Sequence, residues 1–233
     1  MGVDRVAHLR QIVARASGEL AGASATEVLS WADGVLEERW VVASSMQDAL
    51  VIDLAVKVRP NVDVVFLDTG YHFPETLLLR DAVASSYPIR LLNVQPGQEV
   101  PRQAEGDGPP PYERDPNLCC HVRKTLPLNT ILGLYDGWVT GLRRGETDAR
   151  ASAAPVEWDE QREMIKINPI VDWTDEDVAS YLKEHQVPVN LLRDQGYPSI
   201  GCAPCTARPV EGLGPRSGRW RGSDKSECGI HLR

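Results

Sequence analysis

Five cysteines, four of them in two tight pairs, constrain this sequence more than any other feature. The first pair is Cys119-Cys120, the second is the Cys202-x-x-Cys205 motif, and Cys228 stands alone near the end of the chain. Thiolates bind zinc or iron–sulfur clusters, and four of them complete either kind of site. We therefore predict that the two pairs hold a metal group and that Cys228 is a reactive thiol.

Spacing alone leaves the identity of the metal group open. Structural zinc sites usually use two C-x(2–4)-C pairs, and the adjacent Cys119-Cys120 fits that pattern poorly. A cluster with several iron corners accepts neighbouring thiolates more readily. The spacing favours a cluster over zinc, with buried thiols that bind no metal as a third interpretation. A thioredoxin-like redox pair at Cys202-x-x-Cys205 is disfavoured, because this motif lies far from the early strand–helix pattern.

The composition predicts a globular protein whose 233 residues can build a sizeable core. No apolar run approaches the ~20 residues that cross a bilayer, and the N-terminus lacks a secretory pattern. We expect a cytoplasmic protein with no membrane partner and with free cysteines that act as ligands or reactants. The net charge of −8 argues against a nucleic-acid partner, whereas an anionic small molecule would need a local concentration of cations. The sequence leaves the oligomeric state open, a homo-oligomer included.

Short β-prone runs alternate with helical patterns along the first part of the chain. We predict strands at 39–43, 62–67 and 89–94, and helices at 4–16, 24–36, 49–56 and 74–86. Such alternation predicts an α/β fold with a doubly wound, mostly parallel sheet.

The second part of the chain is less regular. Residues 95–116 are typical of a long surface loop, and the first cysteine pair is expected on a helix that ends before Pro127. Further predicted elements are strands at 137–142 and 164–167 and a helix from Thr174 to about His185. We predict a domain over 1–206 and a mobile C-terminal tail over 207–233 that carries Cys228.

Polar and basic segments follow three of the predicted strands. These segments are Ser44-Ser45-Met46-Gln47-Asp48, Leu67-Asp68-Thr69-Gly70, and Gly141-Leu142-Arg143-Arg144 with Arg150 further on. Ligands of open α/β sheets lie outside the carboxyl ends of the strands, and helix N-termini and paired arginines bind oxyanions. We therefore predict an anion site at this edge of the sheet. The plainer interpretation of each segment is a simple turn or a solvated loop.

The tail combines the lone thiol with cations. Lys225 and His231 flank Cys228, and Arg216 and Arg219 precede it. A cysteine among cations has a lowered pKa and can act as a nucleophile. The alternative is a bystander thiol on a frayed terminus.

Five segments occur in an order that resembles a known family. The most specific are Cys119-Cys120-x-x-Arg123-Lys124-x-x-Pro127-Leu128, Gly201-Cys202-x-x-Cys205-Thr206 and Glu227-Cys228-Gly229-Ile230-His231, beside Leu67-Asp68-Thr69-Gly70 and Thr140-Gly141-Leu142-Arg143-Arg144. They resemble the assimilatory sulfonucleotide reductases, in particular the bacterial iron–sulfur type that reduces adenosine 5′-phosphosulfate (APS).

The resemblance implies a fold of the ATP-pyrophosphatase type and a [4Fe–4S] cluster on Cys119, Cys120, Cys202 and Cys205. It implies reduction of APS to sulfite and AMP through an S-sulfocysteine on Cys228, with thioredoxin or a glutaredoxin-like protein as reductant, in sulfate assimilation and cysteine biosynthesis. Reduction of the 3′-phosphorylated nucleotide PAPS is the nearest alternative, and the four cysteines favour APS. Loss of the glycines from the Ser-Gly-Gly-x-Asp-Ser loop, here Ser44–Asp48, argues against an enzyme that cleaves ATP. A zinc-stapled binding module is the non-enzymatic alternative.

The resemblance also suggests roles for individual side chains. Cys228 is the expected nucleophile, Lys124 is expected to link the cluster to the sulfate, and His231 to screen its charge. The residues expected to bind substrate are Ser44, Ser45, Leu67, Thr69, Gly141, Arg143, Arg144, Arg150, Arg216 and Arg219.

Overall fold

The computed structural model describes residues 3–97, 108–221, 223, 225, 227, 229 and 230. Within them, six strands form one sheet: β1 Trp40–Ser44, β2 Val62–Leu67, β3 Ile89–Val94, β4 Gly137–Val139, β5 Val156–Asp159 and β6 Met164–Ile167. The helices are α1 Val3–Glu19, α2 Ala25–Leu36, α3 Leu50–Val58, α4 Pro74–Ser86, α5 Pro111–Arg114, α6 Pro116–Cys120, α7 Leu126–Leu132 and α8 Asp175–Glu184. No helix among these residues is long and apolar enough to cross a membrane.

The strand order β3-β2-β1-β4-β6-β5 confirms the predicted doubly wound sheet. All neighbours pair in parallel except β5, which runs antiparallel to β6 at the edge. The chain moves outward from β1 to β2 and β3, and then returns to place β4 on the other side of β1. Such a switch point between β1 and β4 is where open α/β sheets bind ligands.

Apolar residues cover both faces of the central strands, as a parallel sheet requires. On one face, Val42, Val64 and Phe66 pack into the larger hydrophobic cluster. On the other face, Val41 and Val65 pack into a second cluster. All five are 0–1% exposed. The middle of the sheet is therefore rigid core, and polar groups at the strand ends are held on a fixed frame.

The helix that carries the first cysteine pair differs from its prediction. It does not end before Pro127: a π-helical turn, His121–Thr125, follows α6 and leads directly into α7. Leu126 N–H bonds to His121 O across the wider turn, and Pro127 lies in the first turn of α7. Proline has no N–H to pair, so the regular hydrogen-bond ladder is interrupted at Pro127, where the π-helical turn passes into α7.

Other boundaries differ in smaller ways. β4 ends at Val139, short of the predicted Leu142, and β5 was not predicted although Val156 and Trp158 alternate with polar residues. Helix α5 lies within the predicted 95–116 loop, of which 98–107 fall outside the described residues.

The beginning of the predicted tail is hydrogen-bonded to the second cysteine motif. Thr206 and Arg219 form an antiparallel bridge, Ala207 N–H bonds to Gly218 O, and Trp220 N–H bonds to Cys205 O. Trp220 is 4% exposed. The described part of this segment therefore packs against the domain, and the boundary near residue 206 and the mobility of the tail stay predictions.

Candidate active site

A cavity of about 660 Å³ opens at the carboxyl ends of the parallel strands. Ser44 at the end of β1 and Leu67 at the end of β2 line it, together with Thr140 after β4 and Ile170 after β6. The cavity therefore spans the switch point of the sheet.

The loop after β1 is held in a conformation that normally favours glycine. Met46 has φ 55° and a fully buried side chain, and it occupies the position of the second glycine in the pyrophosphatase-type pattern. The Ser44 hydroxyl accepts a hydrogen bond from Met46 N–H at 3.2 Å, and Asn190 Nδ2 donates to Met46 O at 3.2 Å. Ser44 and Ser45 line the cavity, as predicted for residues at this strand end.

Asp48 ends this loop and faces the cavity. Its carboxylate accepts a hydrogen bond from Leu50 N–H at 3.1 Å in the first turn of α3, and pairs with Arg193 at 3.3 Å. Burial raises the pKa of Asp48, and these two contacts oppose the shift only in part. Sequence reasoning did not single out Arg193.

Thr69, in the turn after β2, faces the cysteines and is not among the residues that line the cavity. Its side chain is fully buried, and its hydroxyl oxygen lies 3.2 Å from the Cys202 sulfur atom. Arg123 Nη1 donates to Thr69 O at 2.9 Å. Leu67 and His72 of the same segment do line the cavity.

His72 was missed by sequence reasoning, although it follows the Leu67–Gly70 turn by two residues. Its Nε2 atom lies 2.8 Å from Leu67 O, and its backbone bridges to Cys202. Burial lowers the pKa of His72, and the charge of Lys124 adds to the shift. This segment joins the sheet edge to the second cysteine motif.

Gly141, Arg143 and Arg144 line the cavity after β4. Arg143 Nη2 pairs with Asp175 Oδ1 at 2.7 Å, and Arg144 forms an ion pair with Asp172. Both arginines are thus at the predicted place, and both have acidic partners within the protein.

Arg150 and Arg216 also line the cavity, and both contact Glu227. Arg150 donates two hydrogen bonds to the Glu227 carboxylate, and Arg216 donates one at 3.2 Å. Arg150 also pairs with Glu146. The pKa of Arg150 is raised: burial alone would lower it, and the contacts with Glu227 and Glu146 outweigh that effect.

Arg219 lies at the far side of the cavity beside Trp220. Its guanidinium is 4.6 Å from the Trp220 ring centroid, and its Nη1 atom donates to Ser199 Oγ at 3.2 Å. Sequence reasoning predicted Arg219 and missed Trp220 and Ser199, whose positions depend on how the tail folds back.

The side chains that line the cavity have a net charge opposite in sign to that of the whole protein. Seven Lys or Arg side chains and five Asp or Glu side chains line it within the described part of the chain. The cavity therefore carries net positive charge in a protein with a net charge of −8. A low-dielectric pocket with excess cations attracts anions.

Three of the paired cysteines, Cys119, Cys202 and Cys205, lie close enough to influence one another, and Cys120 adjoins Cys119 in the sequence. None of the four paired cysteines forms a disulfide; Cys119, Cys120 and Cys202 are buried, and Cys205 is half-buried. Burial raises the pKa of Cys119, and the neighbouring Cys202 and Cys205 raise it further. Burial also raises the pKa of Cys205, with Cys202 adding to the shift. The two cysteine motifs therefore lie near each other in the fold.

Thiols in two motifs are the type of ligand that both zinc and iron–sulfur clusters take. Zinc needs ligands converging on one point, and no three Cys, His, Asp or Glu side chains in the described residues are placed to hold a single metal ion. Arg123, 6% exposed, has a buried Nε atom without a hydrogen-bond partner beside these cysteines.

The remaining predicted catalytic residues divide into two groups. Lys124, in the π-helical turn four residues after Cys120, lines the cavity and influences Cys119 and Cys205 electrostatically. Cys228 and His231 lie outside the described residues.

Comparison with known proteins decides the family. Residues 39–208 match the family model of the phosphoadenosine phosphosulfate reductase domain. The chain belongs to this family. The matched region runs from β1 to just beyond Cys205, so it includes the cavity loops and both cysteine pairs.

Relatives in this reductase family cover nearly the whole chain. Proteins named adenosine 5′-phosphosulfate reductase are 53% identical in Mycobacteroides abscessus and 50% identical in Mycolicibacterium smegmatis, over 96% of this chain and 94% and 95% of theirs. A phosphoadenylyl-sulfate reductase from Candida auris, solved as a phosphate complex, is 28% identical with a TM-score of 0.68, covering 89% of this chain and 98% of that one.

More distant structures share only the fold. FMN adenylyltransferase from Candida glabrata is 12% identical with a TM-score of 0.56, and the match covers 84% of this chain and 71% of that one. Both the reductase and the adenylyltransferase structures share the α/β fold of this chain, the fold class that the sequence predicted.

Proposed function

We propose that this reductase-family protein converts APS to sulfite and AMP in sulfate assimilation. One observation carries the proposal: the π-helical turn that directly follows Cys119-Cys120 also supplies Lys124 to the wall of the cationic cavity. The cysteine set and the anion site thus share one structural element. Relatives of about 50% identity over nearly the whole chain, named for this substrate, support APS as the nucleotide.

The first step is a displacement at sulfur. The Cys228 thiolate attacks the sulfate sulfur of APS, an S–S bond forms, the bond from sulfur to the bridging oxygen breaks, and AMP leaves with that oxygen and the electron pair. The product is S-sulfocysteine. Repulsion between a thiolate and an anionic sulfate opposes this step, so Lys124 and Arg219 contribute by stabilising the charge at the sulfate.

The second step releases sulfite. One thiolate of a dithiol protein of the thioredoxin class attacks the Cys228 sulfur, and sulfite leaves with the S–S electron pair. The second thiol of that protein then resolves the mixed disulfide, so the reductant is oxidised to its disulfide and Cys228 returns as a thiol. Because the reductant must be a reduced dithiol, we propose a cytoplasmic location for the reaction.

A [4Fe–4S] cluster on Cys119, Cys120, Cys202 and Cys205 has a structural and electrostatic role in this proposal. The four thiolates would hold the cluster, and the bound cluster would tie the two motifs together; both displacements balance by thiol–disulfide exchange alone. Lys124 then lies between the cluster ligands and the substrate cavity, where it screens one from the other.

Intact-mass measurement after anaerobic incubation with APS and no reductant tests the function. We expect one added sulfonate group on the wild-type protein, none on Cys228→Ser, and release of sulfite when reduced thioredoxin is added. Turnover of PAPS equal to or faster than that of APS would instead assign the activity of the Candida auris relative. Brown protein with iron and acid-labile sulfide supports the cluster, and a colourless zinc protein contradicts it.

A further inference from the structure

Glu227, the residue directly before Cys228 in the sequence, is a buried anion held by cations of the cavity. Its exposed fraction is only 6%. Arg150 donates from Nε to Oε2 and from Nη2 to Oε1 of Glu227, both at 2.9 Å, and Arg216 Nη2 donates to Oε1 at 3.2 Å. A bidentate guanidinium–carboxylate pair fixes orientation as well as distance. The carboxylate of Glu227 therefore has a defined receptor in the fold.

The guanidinium of Arg150 makes all of its ion pairs with carboxylates of the protein itself. The remaining terminal nitrogen of Arg150, Nη1, pairs with Glu146, so all three of its nitrogens face acidic side chains. Arg150 is 7% exposed. A guanidinium engaged in this way is better suited to hold Glu227 than to grip the phosphosulfate, the role that the sequence suggested for it.

Other contacts hold the same segment on both sides of Cys228. Lys225 Nζ donates to Asn117 Oδ1 at 2.7 Å, next to the first cysteine pair. Ile230 packs against the second hydrophobic cluster of the sheet, and a side chain on Gly229 would approach Thr125 Oγ1 to 3.3 Å. Glu227 provides the buried ion pair among these contacts, and its two-point geometry makes it the most directional of them.

We propose that Glu227 is a positioning residue for the attack on APS and that Arg150 is its receptor. The inference rests on the proposed function. Consecutive Cα atoms are 3.8 Å apart across a trans peptide, so a fixed Glu227 at the cavity wall limits how far its neighbour Cys228 can move from the bound sulfate. Displacement steps depend steeply on such placement: an error of about 1 Å costs about 100-fold in rate.

This role differs from substrate binding in what a substitution changes. Loss of a positioning contact slows formation of S-sulfocysteine and leaves the affinity for the nucleotide unchanged. Loss of a substrate contact weakens affinity. Loss of an internal competitor, in which the carboxylate occupies the sulfate position, strengthens affinity. One pair of measurements separates the three cases.

The test uses the full-length protein with its cluster. Single-turnover formation of the Cys228 sulfonate is followed by intact mass in wild type, Glu227→Gln, Glu227→Asp and Arg150→Lys, and equilibrium binding of APS is measured with each change in a Cys228→Ser background. Glu211→Gln, an exposed glutamate of the same tail, is the matched control. Circular dichroism and iron content establish that each variant is folded and loaded.

We expect Glu227→Gln and Arg150→Lys to form the sulfonate about 30- to 100-fold more slowly, with APS affinity within about twofold of wild type. Combining them should cost little more than either alone, because both changes break one contact. Glu211→Gln should behave as wild type. An unchanged rate, or a change of more than about fivefold in APS affinity in either direction, would overturn the proposal.

A second measurement keeps the proposal testable if the wild type forms no sulfonate, a result that would refute the proposed function instead. Limited trypsin cleavage after Arg221 and Lys225 reports release of the terminal segment without any substrate. Glu227→Gln should be cut at least about fivefold faster than Glu211→Gln and wild type if it loses its receptor. Equal cleavage rates contradict a positioning role.

Discussion

The guanidinium of Arg219 occupies the space where Gly201 would carry a side chain. A Cβ atom built on Gly201 would lie 2.7 Å from Arg219 Cζ and closer still to Nη2. The glycine just before Cys202 is thus required by an arginine of the cavity and not by backbone conformation.

We predict that Gly201→Ala leaves the fold intact and impairs catalysis. The arginine side chain is flexible and can move aside, but it would then lose the Ser199 contact and its place in the cavity. We expect kcat/KM for APS to fall at least about tenfold, with Tm within a few degrees of wild type. Gly145→Ala is the matched control, because Gly145 also lines the cavity and has open space around it. Equal kinetics of the two variants would contradict the role of Arg219.

Lys124→Ala should separate catalysis from cluster assembly. Removing one charge that stabilises a transition state typically lowers kcat by about 100- to 1,000-fold. Because the cysteines themselves are unchanged, we expect iron and sulfide content equal to wild type. Lys183→Ala, in α8 and away from the cavity, is the control. Full activity of Lys124→Ala would disprove the proposed link between cysteines and substrate.

Met46 offers a test of backbone strain in the loop after β1. Met46→Ala should destabilise the protein by roughly 2–4 kcal/mol, since a fully buried side chain is lost. Met46→Gly should be less stable than Met46→Ala by less than about 0.5 kcal/mol, because glycine adopts the positive φ without strain. Ala55→Gly, in the interior of α3, should cost about 1 kcal/mol or more. Urea unfolding measures all three, and a clearly less stable Met46→Gly would argue against strain at this position.

The lowered pKa of Asp53 predicts that its carboxylate makes a pH-dependent contribution to the free energy of unfolding. Burial raises its pKa, but hydrogen bonds from Lys57, Tyr181 and Tyr87 outweigh burial, and the net shift is downward from 3.8. The pKa of Tyr181 is raised to about 12, so its hydroxyl stays a donor over the acidic range. A carboxyl whose folded pKa is lowered stabilises the fold above pH 3.8 and loses this effect as pH falls through the folded pKa.

Asp53→Asn should therefore cost about 1–3 kcal/mol near pH 7, and the difference from wild type should shrink as pH falls below 3.8. Urea unfolding at pH 7, 5 and 3 measures this difference. The exposed Asp194→Asn is the control and should show little difference at any pH. A deficit of Asp53→Asn that is constant with pH would show that the carboxylate charge is not responsible.

Local sequence signals were sufficient to predict the bounds of three elements of the fold. The bounds of β2, β3 and α4 agree with their predictions, because short apolar runs and a proline in the first turn define them without long-range help. The antiparallel edge strand β5 was missed because its four residues give only a brief alternation. The π-helical turn before Pro127 was missed because proline normally marks a helix end.

The sequence indicated where the candidate site lies, but it did not indicate which side chains form ion pairs there. Most of the strand-end residues and arginines that the sequence singled out line the cavity, and their roles in substrate binding stay predictions. The partner of each arginine depends on distant chain segments: Arg150 and Glu227 are 77 residues apart in sequence. No local pattern could show that Glu227 faces Arg150 and Arg216, or that Thr69 faces Cys202 and not the cavity.

The separation of the two cysteine pairs along the chain has a consequence for biosynthesis. Between Cys120 and Cys202 the chain builds α7, β4, β5, β6 and α8. A ribosome therefore releases the first pair long before the second exists, and bringing the pairs together requires closure of a long loop. If both pairs are ligands of one cluster, as proposed, loading of that cluster must await synthesis of the second pair and so of the strands that lie between the two.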